Sequence, residues 1–396
     1  MIPPRHSAGQ AGPAASPSAM FTWMMRLLIV IIVALYAPRL IALFPLGHDI
    51  SLDSTIDDDW LHYHRNALSV LHQGLSMPAV QEPYYRPAGF GYTYFVALAY
   101  AVGGERSGFV YLVQALLLLA SIAGVFIAAR RSLSEAAAAI LLLVVAGVLY
   151  VDVYRSLTFR LLAENLLIPL TVLLLLMVRQ LVARPGRAIA AAIGVLCGLC
   201  FLVRPNTALY APVLALLITG YLPGPPLRSR IGFAAVLLVA FAAVASLVSV
   251  RNYVVTGQAQ STLVSSTADW YLPGLKVRDR PTAMQRATRF ATGYGRRMAF
   301  AVGIPQYLAP NFRVRPHWLL LWAGVVLHVL QLRRRTIEFW EAAVLGLAVA
   351  YFGPVIAIGT LSSYGTRMLA PGMVFLAILA VKALDVRAGR SRSTLR

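Results

Sequence analysis

The chain has little charge and almost no cysteine. Only 13% of its 396 residues are Asp, Glu, Lys or Arg, about half of what soluble globular proteins carry. Its two cysteines, Cys197 and Cys200, are too few for a disulfide-stapled secreted domain. Both stand inside an apolar run, where they read as small packing residues. No Gly-rich phosphate loop is present, so the usual signature of a nucleotide site is missing. No segment between apolar runs is large enough to need a soluble core of its own. What the chain has instead is apolar side chain, 59% of it, more than a soluble protein of this size can hide. The apolar residues come in runs near 20 long, the length a helix needs to cross roughly 30 Å of hydrocarbon. The expectation is an all-α polytopic transmembrane helical bundle, which excludes a soluble enzyme and a disordered chain.

Eleven apolar segments are legible, at about 24–46, 88–103, 109–129, 134–151, 161–178, 188–203, 206–221, 231–250, 317–331, 338–359 and 367–384. Residues 1–20 read as a disordered cytoplasmic tail rich in Ala, Pro, Gly and Ser, residues 21–384 as the transmembrane domain and 385–396 as a basic cytoplasmic tail. The run from 24 is too long for a signal-peptide core and lacks a small-residue cleavage site after it, so it stays as the first span.

Charge sets the orientation. The chain holds 35 Lys+Arg against 15 Asp+Glu, a formal +20. In a membrane protein this excess reads as cytoplasmic loop charge facing anionic lipid, with no nucleic-acid partner implied. Arg130 and Arg131, Arg184 and Arg187, Arg228 and Arg230, and Arg333 to Arg335 fall in alternate connections. Placing them inside puts 47–87, 152–160, 204–205, 251–316 and 360–366 outside. Parity then asks that one segment not cross, and 88–103 lying along or dipping into the membrane leaves ten crossings.

The two long outer loops have opposite charge. Loop 47–87 holds six of the fifteen acids: Asp49, Asp53, Asp57, Asp58, Asp59 and Glu82. Loop 251–316 holds ten basic residues, including Arg251, Arg286, Arg289 and Arg297, against Asp269 and Asp279 alone. Asp57, Asp58 and Asp59 open a stretch that reads as a helix, since acids favour the positive end of the helix dipole. Trp60, Tyr63, Ala67, Val70 and Leu71 then recur at helical spacing, as in a helix lying apolar side down on a membrane. Adjacent carboxylates raise one another's pKa, which suits one of them to act as a general base; solvated helix-cap acids are the plainer alternative. Asp58 and His62 share a face and can hold a divalent metal, although two ligands fall short of a signature.

Polar residues at the mouths of spans are the other signals, because each is costly there unless paired. Glu164 stands at an outer mouth, with Arg155 or Arg160 near enough in sequence to neutralise it. Arg204-Pro205-Asn206 marks an outer junction. Tyr85-Arg86-Pro87 precedes the second apolar segment, with Arg86 at headgroup level. Asp269 and Trp270 follow a Ser/Thr-rich stretch that can line a carbohydrate pocket or be ordinary loop. Arg286, Arg289 and Arg297, if helical, share a face suited to paired hydrogen bonds with phosphate or to headgroup adhesion.

Taken in order, several of these stretches resemble the integral-membrane glycosyltransferases that use lipid-phosphate sugars, the group with the protein O-mannosyltransferases and the lipid A aminoarabinose transferases. The matching pieces are Asp57/Asp58/Asp59 with Tyr63 and Ala67, Tyr85-Arg86-Pro87-Ala88-Gly89-Phe90, Ala163-Glu164, Val203-Arg204-Pro205-Asn206, Arg251-Asn252-Tyr253 with Gly257, and Tyr364 with Arg367. Ala88 departs from the second proline of many relatives, and the extramembrane C-terminal domain of some relatives is absent, which weakens the case for a protein acceptor.

The resemblance implies a helical bundle with juxtamembrane helices in the first outer loop. It implies transfer from a polyprenyl-phosphate-linked sugar to an envelope glycan, lipid or protein acceptor at the outer side of the cell membrane. Under it Asp57, Asp58 or Asp59 is the base. Arg86, Arg204, Arg251, Arg286, Arg289 and Arg297 are candidates for the donor phosphate, and Tyr63, Tyr85, Glu164, Asp269 and Trp270 for the acceptor or sugar. A polymerase or ligase using a lipid-pyrophosphate oligosaccharide, and a lipid or sugar transporter, are the alternatives. A transporter places its charges at mid-span, whereas these lie at outer mouths.

Overall fold

In the computed structural model the described residues are 19–42, 59–74, 90–155, 157–256, 316–332, 337–358 and 369–393. Among them there are helices and no strand. In chain order these are α1 (Ala19–Ala42), α2 (Asp59–Gln73), α3 (Phe90–Gly103), α4 (Ser107–Ala129), α5 (Glu135–Leu149), α6 (Glu164–Ala183) and α7 (Arg187–Val203). Then follow α8 (Tyr210–Tyr221), α9 (Leu227–Ala245), α10 (Leu247–Thr256), α11 (Pro316–Leu332), α12 (Phe339–Ile358) and α13 (Met373–Ser393). Each of the eleven apolar segments corresponds to a helix or, for 231–250, to the pair α9 and α10. α2 is the helix expected in the acidic loop.

Among the described residues five stretches are long and apolar enough to cross a membrane: Phe21–Pro38, Ser107–Ser132, Glu135–Tyr154, Glu164–Ala183 and Leu227–Arg251. Phe90–Gly103, Arg187–Val203, Pro316–Leu332 and Phe339–Val355 are shorter apolar helices. The chain is a multi-pass membrane protein. Large apolar side chains such as Leu27, Val30, Leu216, Val239 and Leu320 are exposed on the bundle, as lipid-facing residues must be.

Local chemistry explains the helix ends. Ser134 caps α5, its hydroxyl accepting from the Ala137 N–H, and Glu135 occupies the first turn. Glu164 likewise occupies the first turn of α6. α5 runs out through a π-helical turn, Tyr150–Tyr154, closed by Arg155 N–H donating to the Tyr150 carbonyl at 3.0 Å. Such turns insert one residue into the helical period and re-aim the side chains that follow.

Close helix contact depends on small residues. Gly194 and Gly198 form a G-x-x-x-G step on α7 where α9 crosses. A Cβ on Gly194 would fall on the Leu237 carbonyl oxygen, and one on Gly198 would meet the Val244 side chain. α13 lies deepest, with Met373, Phe375 and Leu376 fully enclosed, and packs against α5, α11 and α12.

α3 is one of the shorter apolar helices. Its 14 residues span about 21 Å as a helix, short of a roughly 30 Å hydrocarbon layer. Gly91 at one end touches Leu202 and Val203, at the outer end of α7, and Gly103 at the other touches Phe109 in the first turn of α4. α2 packs along α3, burying Leu61, Tyr63, His64 and Ala67, so the helix of the acidic loop lies on another helix. His64 Nδ1 and the Tyr100 hydroxyl are 2.7 Å apart, and His72 Nε2 meets Glu105 Oε1 at 2.8 Å.

Candidate active site

The connections assigned to the outer side bring together the ends of α3, α6, α7, α10 and α12. Glu164 opens α6, is 1% exposed and pairs with Arg204, which follows the last residue of α7. The bond runs from Arg204 Nη2 to Glu164 Oε1. Arg204 is 15% exposed, so the ion pair is largely desolvated. A carboxylate buried this deeply needs a partner charge. The sequence suggested Arg155 or Arg160; the pair forms instead with a residue of the next helix hairpin, brought alongside because α6 and α7 are antiparallel neighbours.

Pro205 stops α7 and starts a short 3-10 turn, Pro205–Thr207, leaving Arg204 extended between two helices. The Asn206 amide lies beside the Tyr351 hydroxyl of α12, which also feels the charges of Glu164 and Arg204. Arg251 on α10 lies over the Phe90 ring at 5.8 Å and hydrogen-bonds the Tyr94 side chain of α3. Phe90 and Tyr94 stack tilted at 4.5 Å. Phe201, Leu202 and Val248 pack beneath, with Phe90 against them. Arg204 and Arg251 thus flank one end of α3 from two sides.

α2 reaches this end through aromatic contact. Tyr63 sets its edge against Tyr92 at 4.7 Å and 81°, and Tyr92 lies within electrostatic reach of Glu164. Asp59 is the first residue of α2. Of the sequence candidates, the structure gathers Tyr63, Glu164, Arg204 and Arg251 at the outer end. His62 is half-buried on α2. Asp57, Asp58, Tyr85, Arg86, Asp269, Trp270, Arg286, Arg289 and Arg297 lie outside the described residues.

Two buried acids escaped the sequence reading, Glu341 on α12 and Asp152. Asp152, in the π-helical turn, accepts from Trp318 Nε1 at 2.8 Å and meets His317 Nε2 at 3.0 Å on the same oxygen. His317 and Trp318 open α11, 165 residues further on. An Asp between aliphatic and aromatic neighbours in the middle of Tyr150-Val151-Asp152-Val153-Tyr154 was itself the available signal.

Residues 86–249 match the family model of the dolichyl-phosphate-mannose-protein mannosyltransferases. The chain also superposes on ArnT from Cupriavidus metallidurans, solved bound to undecaprenyl phosphate, with TM-score 0.56 and 17% identity, over 93% of this chain and 61% of that one. At that identity the likeness is one of fold, and this chain has the fold of ArnT. The archaeal oligosaccharyltransferase AglB from Archaeoglobus fulgidus, in complex with an inhibitory peptide and a dolichol-phosphate, matches at TM-score 0.55 and 16% identity, over 96% of this chain and 52% of that one. The Archaeoglobus fulgidus oligosaccharyltransferase in complex with Zn and sulfate matches at 0.54 and 18%, over 91% and 49%. The chain spans about three fifths of ArnT and about half of the archaeal enzyme. No curated protein sequence matches it.

The region that the family model matches runs from just before α3 into α10, and so contains Glu164 and Arg204. A divalent metal was a further expectation. Among the described residues no three His, Cys, Asp or Glu side chains converge to hold one, and Asp58 of the expected Asp58–His62 pair lies outside them.

Proposed function

We propose that the protein transfers a sugar from a polyprenyl-phosphate donor to an acceptor hydroxyl on the outer side of the membrane, with inversion. The observation that carries this reading is the buried Glu164–Arg204 pair, at the same end of α3 as Arg251, in a fold shared with lipid-phosphate transferases. A guanidinium offers five N–H donors in a rigid fork, so Arg204 can hold Glu164 and a phosphate oxygen at once. Arg251, held by Phe90 and Tyr94, is the second phosphate ligand. From Arg251 an apolar stripe, Phe90, Tyr94, Leu98 and Val102, runs along α3 at steps of four, and Leu98 and Val102 are exposed. An isoprenoid chain fits that stripe when its phosphate lies at the arginines.

The step balances without a nucleotide. The acceptor hydroxyl attacks the anomeric carbon, its proton passing to a carboxylate among Asp57, Asp58 and Asp59. The bond from that carbon to the phosphate oxygen breaks and its electron pair leaves with the lipid phosphate. Guanidiniums aimed at the leaving phosphate stabilise the charge it gains. Arg86, Arg286, Arg289 and Arg297 add to that field, while Tyr63, Tyr85, Asp269 and Trp270 contact sugar or acceptor. Envelope glycan, lipid and protein remain the acceptor classes.

The likeness to an oligosaccharyltransferase favours a second reading, transfer of an oligosaccharide from a lipid-pyrophosphate donor. Purified protein given monosaccharide lipid phosphate in one arm and oligosaccharide lipid pyrophosphate in the other separates the two. Replacing Asp57, Asp58 and Asp59 singly by Asn, with the protein folded and membrane-inserted, is expected to abolish transfer in at least one variant. Full activity in all three removes the carboxylate base. Mass spectrometry of envelope glycans with and without the gene identifies sugar and acceptor together.

A further inference from the structure

The residues that carry the buried pair are held by a side chain no sequence motif marks. We propose that Gln114 of α4 is a positioning residue for the Glu164–Arg204 pair, with Tyr92 of α3 completing its hydrogen bonding. This rests on the pair being part of the phosphate-handling site.

Between the π-helical turn and α6 the chain is irregular and buries Leu157, Thr158 and Leu161 to Ala163 while Arg160 is exposed, so its inward-facing carbonyl groups need partners other than water. Two amides supply them. Gln114 Nε2 donates to the Thr158 carbonyl at 2.8 Å and the Arg160 carbonyl at 3.3 Å. Asn165 Nδ2 donates to the Leu157 carbonyl at 2.9 Å and again to that of Arg160 at 3.1 Å. Four residues after Arg160 the chain delivers Glu164, whose neighbour is Asn165 itself.

The amide of Gln114 has one workable orientation. Carbonyl oxygens only accept, so the NH2 end faces Thr158 and Arg160 and the oxygen must look the other way. There it accepts from the Tyr92 hydroxyl. Gln114 and Tyr92 are both fully buried, so neither bond can be exchanged for one to solvent. Tyr92 in turn carries the Tyr63 ring edge-on, so the helix that starts at Asp59 and the turn that delivers Glu164 meet on one hydrogen-bonded side chain. A shift of Gln114 moves Glu164, and Arg204 follows the carboxylate it is bonded to. Gln114 touches neither reacting atom nor phosphate; its effect passes through that pair.

The test is a double-mutant cycle read by binding, in full-length protein held in lipid nanodiscs, with undecaprenyl phosphate as the probe. Tyr92→Phe keeps the ring packing and removes only the hydroxyl; Gln114→Met keeps the length and removes the amide. Each is expected to weaken binding of the probe about tenfold in the wild-type background and to add nothing once Arg204→Ala is present, as coupled groups do. Should Gln114→Met fail to fold, the Tyr92→Phe arm decides. Unchanged binding in the folded variants, or an equal loss with and without Arg204→Ala, overturns the proposal while leaving the site's assignment intact. A wild type that does not bind the probe, or Arg204→Ala binding as wild type does, removes the phosphate site and this proposal with it.

Discussion

At the scale of single residues, the Glu164–Arg204 pair separates stability from function. Arg204→Ala strands a carboxylate that is 1% exposed, and breaking a buried pair in this way costs about 3–5 kcal/mol. Glu164→Gln combined with Arg204→Met removes both charges, so the melting temperature in detergent is expected to recover most of the loss. Under the proposed function transfer is expected to stay at least about a hundredfold down, because Arg204 is there the donor to the leaving phosphate. Recovery of activity along with stability would reduce the pair to a structural clamp. Arg251→Lys tests a different property. An ammonium cannot reproduce the planar stacking over Phe90 or the forked hydrogen bonding, so the apparent KM for lipid donor is expected to rise about tenfold at constant fold. Both arginines were legible in the sequence, since a charge beside an apolar run has few innocent uses. The partner of Glu164 was not. Forty residues separate the two, and only the antiparallel packing of α6 on α7 brings them together. Asp152 was overlooked for the same reason, its two donors being contributed by α11.

At the scale of elements, the α7–α9 crossing gives a sharp expectation. Gly194→Ala forces a methyl group onto the Leu237 carbonyl, with the Ala240 side chain 2.9 Å away, and overpacking of this kind costs about 1–3 kcal/mol. Gly220→Ala, where nothing lies within 4 Å, is the matched control and is expected to be neutral or slightly stabilising. Thermal melts of the two variants in the same detergent give the comparison. The glycine step itself is a local pattern, visible in Gly194-Val195-Leu196-Cys197-Gly198, but the helix it faces is not. Helix positions were the most legible part of the molecule. Apolar runs bounded by Arg pairs, Pro and Gly correspond closely to α4, α5, α7 and α11, because hydrocarbon leaves the backbone no option but to bond within its own segment. Less legible were the break between α9 and α10 at Ser246, whose hydroxyl turns back to the Ala243 carbonyl, and the packing of α2 on α3. Its apolar spacing fits a lipid surface and a helix surface equally well.

At the scale of the whole molecule, orientation can be read with thiol probes. The native Cys197 and Cys200 are both fully buried, so a membrane-impermeant maleimide is expected to leave the wild type unlabelled. Arg155→Cys is expected to label from outside intact cells and Arg131→Cys only after the inner face is opened, both positions being exposed. Labelling of both from one side would break the charge-based topology. The two faces are also held differently. At the inner end, Lys382 donates to the Ser132 carbonyl and lies 3.9 Å from Glu341, Arg179 donates to Ser132 Oγ at 2.9 Å, and Asp385 accepts from the Ser134 N–H at 3.2 Å and from its hydroxyl. Those bonds join α13 to the turn that begins α5.

The deep burial of α13 has a consequence for biosynthesis. It packs against α5, α11 and α12, each of which precedes it in the chain. The surface those three helices offer to α13 therefore stays uncovered until α13 itself is made, and Asp385 completes the start of α5 across a separation of 251 residues.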